Sequence, residues 1–171
     1  MGRHPLNLVI ISVGSNLGDK IANCRRGISE LSANNVCSIL VTSRFYATAP
    51  VDYLDQDWFI NAAVKVETRL EPEALLDFLL AIQQNTGRTC QKIRFGPRVL
   101  DLDIIFFNDL VVKTQRLELP HPRMHKRRFV LKPICDIDPA VVHPVLKKRA
   151  DLLLSELDDD DQKVILQPCC D

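Results

Sequence analysis

The sequence has no excess charge of either sign and no long apolar run. Lysine and arginine together number 22, aspartate and glutamate also number 22, and the formal net charge is zero. Such a chain has no overall basic field to attract nucleic acid, so any phosphate recognition must come from local arginines. No stretch approaches the ~20 apolar residues of a membrane span, and residues 1–7 are too short and too polar for a signal peptide. We therefore expect a cytoplasmic protein with reduced thiols and with neither nucleic acid nor membrane as a partner.

Sequence patterns for several common sites are also missing. The six cysteines include no Cys-x2-Cys pair and no paired cysteine–histidine spacing, which argues against a zinc site. Residues 14–20 hold two glycines and a lysine after an apolar strand, but they match neither the P-loop nor the dinucleotide-binding pattern. No Ser-His-Asp signature is present and no cysteine adjoins a histidine, so nothing in the sequence supports nucleophilic catalysis.

A predicted buried strand at residues 99–107 carries two aspartates. The stretch is β-branched, aliphatic and aromatic apart from Asp101 and Asp103. Because side chains alternate across a strand, both carboxylates point to one face and the apolar residues around them point to the other. Two neighbouring carboxylates repel one another and are costly to bury, so a positive partner must lie between them. An edge strand whose aspartates face water is the alternative, and the apolar residues on both sides disfavour it.

Two basic segments flank this strand in the sequence. Arg88, Lys92, Arg94 and Arg98 precede it, and residues 120–129 follow it with two histidines and four cationic residues. A solvated positive loop is the alternative, but the position beside two carboxylates favours phosphate binding. Mg²⁺ or the arginines could neutralise the aspartates. Carboxylates, arginines and a histidine together are suited to metal-assisted phosphoryl transfer.

The order of predicted elements is strand, helix, strand, strand, helix, strand. This order predicts an α+β, ferredoxin-like βαββαβ antiparallel sheet with both helices on one face. A C-terminal extension would cover the other face or extend the sheet edge. We expect one domain over residues 1–171, with a core at 8–144 and a C-terminal helix and acidic tail at 145–171.

Local signals place the individual elements. Asp19 is a predicted N-cap of the first helix, and Glu71-Pro72-Glu73 is a predicted start of the second. Asn61 is a polar amide in an apolar strand, and the residues alone leave open whether it is structural or binds the edge of a ring. The other predictions are a strand at residues 37–46, a loop at 47–57, a turn-rich packing segment at 130–134 and 137–139, and a last helix at about 147–157.

Five motifs in order resemble the 6-hydroxymethyl-7,8-dihydropterin pyrophosphokinase family of folate biosynthesis, over residues 8–144. They are Gly14-Ser15-Asn16-Leu17-Gly18, Tyr46-x-Thr48-x-Pro50, Phe59-x-Asn61-Ala62-Ala63, Gly96-Pro97-Arg98-x-Leu100-Asp101-Leu102-Asp103 and Pro120-His121-Pro122-x5-Arg128-Phe129. The resemblance implies transfer of the β,γ-pyrophosphoryl group of ATP to the pterin hydroxymethyl oxygen, with release of AMP. It further implies two Mg²⁺ ions, ATP as co-substrate and a monomeric enzyme whose loop at residues 88–98 closes over ATP.

The resemblance also implies roles for particular residues. Metal binding falls to Asp101 and Asp103, and catalysis to the same aspartates with Arg88 and Arg98. The implied ATP-binding residues are Arg88, Arg94, Arg98, Ile104, His121 and Arg127. The implied pterin-binding residues are Gly14, Thr48, Ala49, Pro50, Val51, Phe59, Asn61 and Phe129. In this implied pocket the Asn61 amide pairs with the edge of the pterin ring, and the rings of Phe59 and Phe129 cover its two faces.

Two other classes of function remain as alternatives. A nucleotidyltransferase also uses an Asp-x-Asp pair but needs no pterin pocket, so Asn61 and the aromatic residues discriminate against it. A ferredoxin-like RNA-binding or ligand-binding module would be indifferent to Mg²⁺, and the two aspartates would repel a phosphate backbone. The chain departs from the family pattern at Leu80, Gln83, Cys90 and Phe95, which are positions linked to the nucleotide and to the closing loop.

Overall fold

The computed structural model describes residues 6–51, 54–87, 96–158 and 162–168. In chain order the elements are β1 (Asn7–Ser15), α1 (Lys20–Leu31), β2 (Cys37–Thr42), β3 (Tyr46–Thr48), β4 (Phe59–Thr68), α2 (Pro72–Asn85), β5 (Asp101–Phe107), β6 (Val112–Lys113), β7 (Glu118–Leu119), α3 (Arg128–Ile137), α4 (Ala150–Ser155) and β8 (Val164–Leu166). Within these ranges β6 and β7 form a small hairpin, and the other strands form one antiparallel sheet. The strand order of that sheet is β5–β1–β4–β3–β8, and β2 also pairs with β4.

The sheet and its first two helices confirm the predicted ferredoxin-like fold. The strand predicted at residues 37–46 is divided into β2 and β3, and the hydroxyl of Ser43 fills the break by accepting the Ala63 N–H at 2.8 Å. The loop predicted from residue 47 begins later than expected, because Ala47 and Thr48 pair with β4. The cap of α1 is as predicted, since the Asp19 carboxylate accepts the Ala22 N–H at 3.0 Å.

The apolar core on one face of the sheet lies beneath α1 and α2. Leu75 and Leu79 of α2 pack there against the apolar side chains of β1 and β5, including Leu102 and Ile104. Gly27 lets α1 approach closely, because a Cβ at this position would lie 2.8 Å from both terminal methyl carbons of Leu100. The apolar residues around the two aspartates therefore face the helices, as predicted.

A second core lies on the opposite face of the sheet, beneath α3 and α4. A register shift between β1 and β5 at Ile10 turns both Ile105 and Phe106 toward this face, where Leu131 and Ile134 of α3 cover them. The prediction of a turn-rich segment at residues 130–134 is wrong, because α3 runs through it with Pro133 inside the helix. Burial of the apolar face of α3 outweighs the ~3 kcal/mol that an internal proline costs.

The chain after α3 differs in two respects from the prediction. The last helix covers only Ala150–Ser155, a part of the predicted residues 147–157. After it β8 pairs with β3 and extends the edge of the sheet. No helix in the described ranges is long and apolar enough to cross a membrane.

Candidate active site

A pocket opens on the α3 face of the sheet, where β1 ends and where β4 and β5 begin. Its volume is about 200 Å³. Strand β5 contributes Asp101 and Asp103, while α3 and the segment before it contribute Phe129 and Arg127. The pocket therefore has one floor of sheet residues and side walls from segments far apart in the sequence.

A row of residues across the sheet sets the layout of the floor. Gly14 of β1 pairs with Asp101 of β5 on one side and with Asn61 of β4 on the other. Neighbouring strands lie about 4.8 Å apart, so the carboxylate strand and the amide strand are separated by roughly 10 Å. This span is comparable with the length of a fused two-ring heterocycle that carries a short substituent.

The amide of Asn61 is buried and held in one orientation. Asn61 is 4% exposed and Thr48 is 1% exposed, and Asn61 Nδ2 donates a hydrogen bond to Thr48 Oγ1 at 2.6 Å. A Cβ on residue 14 would lie 2.7 Å from Asn61 Oδ1, so only glycine leaves this oxygen its space. A buried amide with a free acceptor side is suited to a hydrogen bond with a ring N–H.

The carboxylate pair is half-buried and partly neutralised by an arginine. Arg98 Nη1 donates to Asp101 Oδ1 at 2.6 Å, and both side chains are about one-fifth exposed, at 20% and 23%. Asp103 lines the same pocket and lies opposite Ser12 of β1. No cluster of three or more His, Cys, Asp or Glu side chains suited to a metal occurs among the described residues. The donor set fits Mg²⁺, which takes one or two carboxylates and completes its shell with phosphate oxygens and water.

The rim of the pocket carries positive charge and one neutral imidazole. Burial, together with the nearby charges of Arg127 and Arg123, lowers the pKa of His121 to about 4. His121 Nδ1 accepts the Arg123 backbone N–H at 3.2 Å, so the proton of the neutral ring is on Nε2. At neutral pH this side chain is a hydrogen-bond donor without charge.

Two aromatic residues from segments far apart in the sequence line the pocket. Phe59 begins β4 and Phe129 lies in the first turn of α3. The guanidinium carbon of Arg127 lies 5.4 Å from the centroid of the Phe129 ring, within the range of a cation–π contact. The cationic rim and the aromatic wall therefore meet at the start of α3.

Asn16 joins three segments around the pocket and is 2% exposed. Its Oδ1 accepts the Arg98 backbone N–H at 2.6 Å, and its own N–H donates to the Arg98 carbonyl at 3.0 Å. Its Nδ2 donates to Gln56 Oε1 at 2.9 Å. The loop after β1 thus holds the segment before β5 in place and fixes the position of the Arg98 backbone.

Most of the predicted site residues that the structure describes come together in this pocket. All of the predicted pterin-binding residues line it, as do Arg98, Asp101, Asp103, His121 and Arg127. Ile104 does not: its side chain belongs to the core on the helix face, and Ile105 lines the pocket instead. Arg88 and Arg94, and most of the loop expected to close over ATP, lie outside the described residues.

Sequence reasoning missed several residues that the structure brings to the site. Ser12 and Arg123 line the pocket and Asn16 braces it. Ser12 shares a strand face with Gly14, and Arg123 belongs to the basic segment at residues 120–129, so the sequence indicated that both could face the site.

Gln83 occupies a position that the family links to the nucleotide. Its side chain is 2% exposed within α2 and donates a hydrogen bond to the Leu79 carbonyl at 3.2 Å.

The fold and the pocket define a ferredoxin-like domain that brings a half-buried carboxylate pair and a buried amide into one pocket. Residues 10–139, more than half of the chain, match the family model described as 7,8-dihydro-6-hydroxymethylpterin-pyrophosphokinase (HPPK). The chain therefore belongs to this family, as the motifs predicted. The family description is that of a pyrophosphokinase, an enzyme that transfers a diphosphate group.

Relatives of known name agree with this assignment. The chain is 40% identical over 131 residues to 2-amino-4-hydroxy-6-hydroxymethyldihydropteridine pyrophosphokinase of Bacillus subtilis, covering 77% of this chain and 78% of the relative. It is 46% identical over 140 residues to folic acid synthesis protein FOL1 of Dictyostelium discoideum, covering 82% of this chain. The match spans only 21% of the length of that second relative.

A solved structure agrees in fold. The Plasmodium falciparum HPPK-DHPS wild type with pterin and p-hydroxybenzoate superposes with a TM-score of 0.71 at 16% sequence identity, covering 90% of this chain and 43% of that one. At this level of identity the similarity supports the fold.

Proposed function

We propose that residues 1–171 form one pyrophosphokinase domain, with its core at 8–144, that makes 6-hydroxymethyl-7,8-dihydropterin diphosphate and AMP. The observation that carries the assignment of residues is the row Asp101–Gly14–Asn61 across the sheet. It sets a carboxylate pair two strands from a buried amide, so that one flat substrate can reach both.

Asn61 and the residues near it hold the pterin. Asn61 Oδ1 accepts from a ring N–H while its Nδ2 stays on Thr48 Oγ1. Phe59 and Phe129 cover the two faces of the ring, and the backbone of Gly14 and residues 49–51 closes the remaining sides. This arrangement directs the hydroxymethyl group toward β5.

The carboxylates and cationic side chains hold the nucleotide. Asp101 and Asp103 are the ligands for Mg²⁺, with two ions expected, and Arg98, Arg127 and His121 bind phosphate oxygens. Bound Mg²⁺ neutralises phosphate charge and acidifies a coordinated hydroxyl. Arg88 and Arg94, together with the backbone of Ile104, complete the proposed ATP-binding set.

Arg98 changes partner in this proposal. In the structure its guanidinium balances the charge of Asp101 at 2.6 Å. With a cation held by the carboxylates, Arg98 would bind the phosphates and would stabilise the negative charge that develops during transfer. Burial and the charges of Arg127 and Arg123 lower the pKa of His121 to about 4, so this side chain meets the nucleotide as an uncharged hydrogen-bond donor.

The proposal extends to how the chain works in the cell. We expect a monomer, and we expect it in the cytoplasm. Sedimentation at enzyme concentrations tests the monomer, and a dimer that is required for activity would refute it.

Separation of nucleotide products tests the proposed reaction. The purified chain is incubated with ATP, Mg²⁺ and 6-hydroxymethyl-7,8-dihydropterin, with a matched sample that lacks the pterin. We expect AMP only when the pterin is present. ADP would indicate transfer of the γ-phosphoryl group alone, release of pyrophosphate would favour a nucleotidyltransferase, and either result would overturn the proposal.

A further inference from the structure

We propose that the C-terminal segment Gln162–Pro168 positions the two walls of the substrate pocket, with Gln162 as a positioning residue. The inference rests on the proposed function, because it concerns the residues assigned there to pterin and ATP. The segment lies beyond residues 10–139, which the family model matches, and its contacts within this chain indicate its role.

Gln162 caps the start of α3. Its Oε1 accepts the backbone N–H of Arg128, the first residue of that helix, at 2.8 Å, and its Nε2 donates to the Lys126 carbonyl at 2.9 Å. The first N–H groups of a helix have no partner within the helix, and the side chain of Arg127 makes no capping hydrogen bond. A residue 34 positions along the chain supplies the cap instead.

The capped turn carries two of the proposed substrate contacts. Arg127 and Phe129 flank Arg128 in the sequence, and both line the pocket. They also contact each other, with the Arg127 guanidinium 5.4 Å from the Phe129 ring centroid. The orientation of this turn therefore sets an ATP contact and a pterin contact together.

The same segment holds the opposite wall through β8. Val164 pairs with Thr48, and the Ala49 N–H donates to the Lys163 carbonyl at 3.0 Å. Thr48 receives the hydrogen bond from Asn61, and Ala49 lines the pocket. Gln162 and β8 thus link the amide wall and the aromatic wall across the mouth of the site.

Loss of the Gln162 cap should weaken substrate binding more than turnover. An uncapped helix start samples frayed conformations, and the apparent dissociation constant rises as the fraction in the competent conformation falls. Once both substrates are bound the turn is ordered again, so kcat changes little. A side chain that only stabilised the fold would instead reduce the amount of active enzyme and leave KM unchanged.

Steady-state kinetics on matched variants test the proposal. Gln162→Met keeps the length of the side chain and removes both hydrogen bonds, while Gln167→Met makes the same change at the other end of the segment, away from Arg128. We expect KM for both the pterin and ATP to rise about fivefold in Gln162→Met, with kcat within about twofold of wild type. Gln167→Met should match wild type. Gln162→Glu keeps an oxygen that accepts the Arg128 N–H, so its KM values should lie much closer to wild type than those of Gln162→Met.

Three results would overturn the inference. Equal KM values in Gln162→Met and Gln167→Met, with an active wild type, would refute the positioning role alone. A lower kcat with unchanged KM would assign Gln162 a purely structural role. A wild-type chain that forms no AMP in the presence of the pterin would overturn the proposed function, and the positioning role with it. Thermal melting of each variant verifies that the compared samples are folded.

Discussion

Substitution of Gly14 by alanine tests the layout of the pocket through a single methyl group. The new Cβ would lie 2.7 Å from Asn61 Oδ1, and ordinary contact begins at 3.4 Å, so the Asn61 side chain must retreat by about 0.7 Å. Its Nδ2 is hydrogen-bonded to Thr48 Oγ1 at 2.6 Å in a buried setting, which leaves little room to retreat. Gly14 is not among the glycines with positive φ, so alanine introduces no backbone strain.

The expected loss of pterin binding in Gly14→Ala follows from the displacement of the buried Asn61 amide. A buried polar group that loses its hydrogen bond costs about 1–3 kcal/mol, which corresponds to a kcat/KM for the pterin that is lower by roughly 5-fold to 150-fold. The ATP affinity should stay within about twofold, because Asn61 lies two strands from the carboxylates. Titration of pterin binding, ATP binding and AMP formation with the purified variant measures each of these effects.

A double-mutant cycle tests whether the methyl group of Gly14→Ala acts through the Asn61 amide. In an Asn61→Ala background the methyl group at residue 14 meets no amide, so Gly14→Ala should add little further loss. The same penalty in both backgrounds would refute the reasoning, because the methyl group would then act on the substrate directly or through the backbone. An unchanged kcat/KM in the single variant would also refute it.

Three further predictions concern the metal site, the helix packing and the histidines. Asp101→Ala and Asp103→Ala should reduce AMP formation by about a thousandfold while pterin binding persists; if both variants unfold in circular dichroism, the aspartates have a structural role. Gly27→Ala should lower the free energy of unfolding in urea by about 1–2 kcal/mol, because overpacking against Leu100 exceeds the gain in helix propensity; equal or higher stability would contradict this. The free energy of unfolding should fall as the pH drops from about 6.5 to about 4, since burial lowers the pKa of His121 to about 4 and protons bind the unfolded chain first. His121→Gln should reduce this slope, to which His125 and His143 also contribute through their lowered pKa values, and an unchanged slope in the variant would contradict the assignment.

Local patterns were sufficient for the central part of the fold. Alternation along β5 predicted correctly that Asp101 and Asp103 share one face, because a strand has a period of two residues wherever it lies. The cap at Asp19 was predictable for a similar reason, since the residue that caps a helix is close to it in sequence. The role of Asn61 was open from the residues alone, because its partners Thr48 and Gly14 lie on other strands.

Contacts between distant segments account for the parts that sequence reasoning missed. Pro133 indicates a turn by its local chemistry, and only the buried face of α3 against the sheet explains why the helix continues. Strand β8 is short and follows an acidic run, so no local pattern marks it as the partner of β3. The cap that Gln162 provides for α3 has no signature in the sequence around either residue.

Transfer of doubly labelled ATP shows whether the β- and γ-phosphates move to the pterin together. The chain is given Mg²⁺, the pterin and ATP with distinguishable labels in its β- and γ-phosphates, and the pterin product is isolated. We predict that both labels appear in the pterin in equal amounts and that AMP forms in the same quantity. A product that carries the γ-label alone, or a pterin without label, would contradict the account.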